Sequence, residues 1–116
     1  MNPAALFIIA SDPRASRRPA EAVRIAAGVG AWGKVDVSVY LSEAAVLILG
    51  ENAGELLDGG NFERYLPVLR DLGRPLFAQK DALLLPGLGP AALPFEEISD
   101  AQLAALASDC NCVLRF

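Results

Sequence analysis

The 116-residue chain contains no histidine. That one absence removes the Ser-His-Asp triad, the Cys-His pair and every His-dependent metal site. Its two cysteines, Cys110 and Cys112, are too few for a disulfide framework. No stripe of lysine and arginine runs through the sequence, and the net charge is −4, so nucleic acid is not an expected partner. No apolar run approaches the roughly 20 residues of a membrane span. Met1 to Ala10 has neither a charged n-region nor a cleavage signal, and it reads as a first strand of a cytoplasmic protein. No metal and no cofactor are expected.

Apolar residues are abundant instead: they make up 53% of the chain, with a mean hydropathy of +0.37. A sheet buried on both faces requires this, and so does apolar surface reserved for partner subunits. The length suits one domain, residues 1–116, with one core.

The pattern along the chain alternates strand and helix. Residues 4–10 are a continuous apolar run ended by Ser11-Asp12-Pro13, as in a buried strand. Pro19 suits a helix first turn, residues 19–32 keep helical spacing, and Gly33 is a stop. Residues 35–41 alternate apolar and polar, which predicts a second strand near a sheet edge. Over 43–50, Ser42 as cap, the alanines and Gly50 favour a short helix over a strand. Residues 51–61 read as a loop, and Phe62 to Leu72 as a helix that begins late or bends at Pro67. A third strand is expected at 75–79, a helical turn at 81–85, a loop at 86–90 and a fourth strand at 95–98. Ser99 with Gln102 forms a capping box, flanked by Ile98 and Leu103 as a staple, so a helix is predicted over 100–107. Residues 110–116 are the last strand. The succession implies right-handed crossovers and a flavodoxin-like three-layer α/β sandwich. Its five-stranded parallel sheet is expected in the order 2-1-3-4-5.

In such sheets ligands bind beyond the carboxyl ends of the strands. Ser11, Asp12 and Arg14 follow the first strand, Ser42 and Glu43 the second, Gln79, Lys80 and Asp81 the third. They are the candidate ligand-binding rim. Arg14, Arg17 and Arg18 precede a helix start, a setting that favours an anion, yet the loop lacks the glycines of a phosphate cradle. Glu43 and Lys80 are candidates for acid–base chemistry only if burial tunes them. Gly28-Val29-Gly30-Ala31-Trp32-Gly33 spells G-x-G-x-x-G, but a helix precedes it and a strand follows. That reverses the context of a dinucleotide site. Cys110-Asn111-Cys112 places two thiols on one face if strand runs through both. They are small apolar filler or candidate reactive thiols, with Arg115 the nearest cation in sequence.

Leu6-Phe7-Ile8-Ile9 with its proline-containing loop, the alanine-rich Ala20 to Ala27, Val35 to Leu41, Leu72-Gly73-Arg74-Pro75-Leu76-Phe77 and the tail Cys110 to Phe116 together resemble the DsrE/DsrF-like family, which includes the small sulfur-relay subunits. The resemblance spans nearly the whole chain. It implies the fold, assembly into trimers or hexamers and sulfur-carrier partners. Active members of that family carry a cysteine just after the third strand that accepts sulfur as a persulfide. The matching stretch here is Ala78-Gln79-Lys80-Asp81, without a thiol. The resemblance thus implies an oligomeric subunit or small-ligand-binding protein, leaning away from enzyme. Sulfur transfer through Cys110 or Cys112, and a flavin or nucleotide site at the strand ends, are the alternatives.

Overall fold

The computed structural model describes residues 2–74 and 76–116. Met1 of the opening segment and Pro75, the expected start of the third strand, lie outside them. The strands are β1 (Ala4–Ile9), β2 (Asp36–Leu41), β3 (Leu76–Gln79), β4 (Phe95–Ile98) and β5 (Cys112–Arg115). The α-helices are α1 (Arg18–Trp32), α2 (Gly60–Asp71) and α3 (Asp100–Asp109).

β1 alternates its side chains between two cores. Phe7 and Ile9 join Val23, Ala27, Phe62 and Leu69 beneath α1 and α2. Leu6 and Ile8 join Tyr40 and Ile98 on the opposite face, where Leu103 and Leu106 of α3 cover them. The result is the expected three-layer α/β sandwich on a wholly parallel five-stranded sheet. Three local signals have their counterparts here. Pro19 stands in the first turn of α1. Gly33 ends that helix at φ +80°, where L side chains are strained, and donates its N–H to the Gly30 carbonyl. Gly28 and Gly30 lie inside α1, so the G-x-G-x-x-G string is a helix and its stop. In the capping box, the Gln102 N–H donates to Ser99 Oγ and the Ser99 N–H to Gln102 Oε1.

The strand order is β4-β3-β2-β1-β5, not 2-1-3-4-5. The α1 and α2 crossovers run on the same face and step in the same direction, so β1, β2 and β3 are successive neighbours. The chain crosses back under α3 to place β5 on the free side of β1. β2 is therefore central, not near an edge. Its alternation has another cause: α3 is only ten residues long and leaves part of its face of the sheet open, so Asp36 and Ser38 are half-buried and Asp36 pairs with Arg74 at 2.9 Å.

Residues 43–50 take the helical alternative, as a 3-10 helix over Glu43–Leu49. The expected loop at 51–61 contains a second 3-10 turn, Ala53–Glu55, and the start of α2. α2 contains Pro67 and continues through it. A third 3-10 turn, Pro86–Leu88, stands where a loop was expected. α3 runs on to Asp109, so β5 begins only at Cys112.

Candidate functional site

The carboxyl ends of β1, β2 and β3 open into a cleft of about 700 Å³, lined by Ala10, Asp12, Arg14, Glu43, Ala44, Gln79, Asp81, Ala82, Leu83 and Leu84. This lies within the size range of small-molecule sites. It sits over three successive strands and not at a reversal of strand order, which here falls between β1 and β5.

Five of the rim candidates meet in it: Asp12, Arg14, Glu43, Gln79 and Asp81. Asp12 closes the turn after β1. Its carboxylate accepts the Arg14 backbone N–H at 2.9 Å, Arg14 Nε at 3.0 Å and Arg14 Nη2 at 2.9 Å. The guanidinium hydrogen bonds, then the backbone N–H, hold the Asp12 carboxyl below the usual carboxylate range. Arg14 is therefore paired within its own loop. Gln79, the last residue of β3, accepts the Glu43 N–H on its Oε1 at 2.7 Å. Ser42 was the expected cap of the 3-10 helix, but its backbone is extended and its side chain makes no capping bond. Gln79, on the neighbouring strand, instead takes up the first N–H of that helix.

Glu43 and Asp81 have positive φ, +53° and +63°. Non-glycine residues rarely adopt this conformation, and it concentrates where surrounding structure enforces it. Both stand on the cleft. Asp81 sits in the turn closed by the Ala82 N–H donating to the Gln79 carbonyl at 3.2 Å. Leu83 follows, 92% exposed on the cleft's lip.

Ser11, Ser42 and Lys80 do not line the cleft; their backbones hold its frame. Ser11 and Ser42 donate their N–H groups to the carbonyls of Phe116 and Ile9, and Lys80 donates to that of Ile98. Sequence reasoning missed the apolar side of the cleft: Ala10, Ala44, Ala82, Leu83 and Leu84. The one available signal was the leucine run 83–85 between two turns, far too apolar for a solvated loop.

The cysteines are remote from the cleft's lining. Cys110 ends α3 and packs against the second core. Burial, then Asp109 and Cys112, push its thiol up, which disfavours the thiolate. Cys112 is exposed and stands beside Ala5, whose side chain belongs to the first core. The two thiols therefore do not share a face, because strand does not run through both. Among the described residues no group of three or more Cys, Asp or Glu side chains could hold a metal ion. No helix of the described residues is long and apolar enough to cross a membrane.

No family model matches the chain, and no curated protein matches it in sequence. The solved structure of the YchN protein from E. coli is similar over 100% of both chains, with a TM-score of 0.79 and 20% sequence identity. The chain thus shares its α/β fold with YchN over its whole length.

Proposed function

We propose that this chain is a non-catalytic protein of DsrE-like fold that binds a small ligand in the cleft over β1, β2 and β3. It works as a homo-oligomer, a trimer or hexamer, alongside sulfur-carrier proteins in the cytoplasm. One observation carries the reading: at the tip of β3, where the resembled family presents a thiol, Gln79 offers an amide already bonded to the Glu43 N–H. An amide has no thiol sulfur on which a persulfide could form. What remains is a ligand-sized cleft with an apolar side and a polar rim.

Transfer through Cys110 has little support, since burial and Asp109 disfavour the thiolate nucleophile. A flavin or nucleotide has less support: the loop after β1 lacks phosphate-cradling glycines, and Arg14, the arginine that lines the cleft, is paired with Asp12.

Native mass spectrometry of protein purified from cells tests the reading. The expected result is a noncovalent small molecule that leaves on unfolding and a polypeptide of unmodified mass. A polypeptide carrying added sulfur overturns it, as does protein with an empty cleft.

A further inference from the structure

A second hollow, of about 510 Å³, adjoins the cleft and is walled on its far side by Leu85, Pro86, Phe95 and Glu97. Asp81, Ala82 and Leu83 line both hollows. The two therefore form one groove, reaching from the ends of β1, β2 and β3 to β4, with residues 81–83 as the sill between its halves. Its floor is apolar. Ala82 is buried, and Leu84, Leu85 and Phe95 are half-buried against the first core. Leu83 alone stands clear of that core, on the sill. A solitary exposed leucine is ordinary on a protein surface. One on the shared lip of two hollows has apolar surface to bury against a molecule lying in either.

Charge decides what fits. Asp12 and Arg14 pair with each other at 2.9 Å. Glu43, Asp81 and Glu97 are exposed and make no ion pair among the described residues. Lys80 lines neither hollow. The groove is therefore acidic at both ends and at its sill, with no unpaired cation among its lining residues. An anionic ligand meets like charge there, and a neutral one leaves the carboxylates uncompensated. A cation meets complementary charge. Asp81 belongs to both hollows, so a cationic group beside it can carry an apolar body over the neighbouring Leu83.

We infer that the groove takes an organic cation: a protonated amine beside Asp81, on an apolar chain or ring that lies across Leu83 against Pro86 and Phe95. Such a molecule fills the cleft of the proposed function, and its assignment rests on that reading.

Calorimetric titration of the full chain with octylammonium, octanol and octanoate is the test, since the three probes share a chain and differ in charge. Octylammonium is expected to bind about tenfold or more tighter than octanoate, with octanol between them. Asp81→Asn removes the charge and keeps a residue type that tolerates positive φ. It should weaken octylammonium about threefold to fivefold and leave octanol unchanged. Glu96→Gln removes an exposed carboxylate that lines neither hollow and should change neither. Leu83→Ser should weaken all three probes alike. The comparison of probes on the unmodified chain holds even if Asp81→Asn fails to fold. Octanol or octanoate binding as tightly as octylammonium, or equal losses in Asp81→Asn and Glu96→Gln, overturns the cation. Probes indifferent to Leu83→Ser overturn the joined groove, and no binding of any probe overturns the whole inference. In each of these cases a small molecule still carried by the protein in the native mass spectrum leaves the ligand-binding reading standing. Protein with an empty cleft there sinks both.

Discussion

Gln79 Oε1 accepts the backbone N–H of Glu43 at 2.7 Å, joining the tip of β3 to the start of the helix that follows β2. The bond takes the place of a capping side chain that Ser42 does not supply. Glu43, whose N–H it takes, stands at positive φ. Gln79→Ala leaves that N–H without its partner, and the expected loss is about 1 kcal/mol in stability by denaturant unfolding. The same variant loosens the cleft, so retention of its small molecule in native mass spectrometry should fall with it. Unchanged stability and unchanged retention would show that the clamp has no energetic role.

Leu83 separates binding from folding. At 92% exposure it contributes little to the core, so Leu83→Ser should change stability by no more than about 0.5 kcal/mol. Its place on the lip gives it apolar surface to bury against a bound molecule. Retention of the ligand should weaken about tenfold, the equivalent of roughly 1.4 kcal/mol. Equal retention by the variant would place the ligand elsewhere.

Two carboxylates tie stability to pH. Asp12 is held below its usual range by hydrogen bonds from Arg14, and Asp36 by Arg74, with desolvation opposing and Asn2 helping. A carboxyl whose folded value is depressed stabilises the fold fully above its unfolded value, near pH 4. That contribution is lost as pH falls through the folded value. Unfolding midpoints measured between neutral pH and about pH 3 should therefore drop. In Asp12→Asn and Asp36→Asn that drop should be shallower. Parallel acid profiles for wild type and both variants would contradict the assignment.

Gly59 is confined by backbone. A Cβ there would stand 2.1 Å from the Gly54 carbonyl oxygen, and no rotamer change relieves a clash with main chain. Gly59→Ala should cost about 1–3 kcal/mol, read as a lowered thermal midpoint. Gly60→Ala, with open space around its Cβ position, is the control. Equal midpoints for the two variants would refute the close approach.

Much of the fold was legible because its signals are local. Pro19 and Gly33 bracket α1, Ser99 and Gln102 start α3, and the apolar run 4–10 marks β1. Strand order was not legible. Alternation implies crossovers, but whether β5 returns beside β1 depends on the face on which α3 packs, a tertiary property. The polar residues of β2 pointed to an edge, while their exposure comes from a helix too short to cover that face. At the candidate site, position after a strand pointed to Asp12, Arg14, Glu43, Gln79 and Asp81, which line the cleft, and equally to Ser11, Ser42 and Lys80, which do not. The Gln79–Glu43 bond spans 36 positions and leaves no periodic trace. Ser42 looked like the cap because residue type alone cannot show where a side chain points.

The central claim is that this protein holds its ligand without covalent sulfur chemistry. Mass spectrometry of the intact chain after incubation with a persulfide donor, followed by a thiol acceptor, tests it most directly. The expected result is an unchanged mass at Cys110 and Cys112 and no sulfur delivered to the acceptor. A sulfane sulfur found on either cysteine and then passed on would contradict the account.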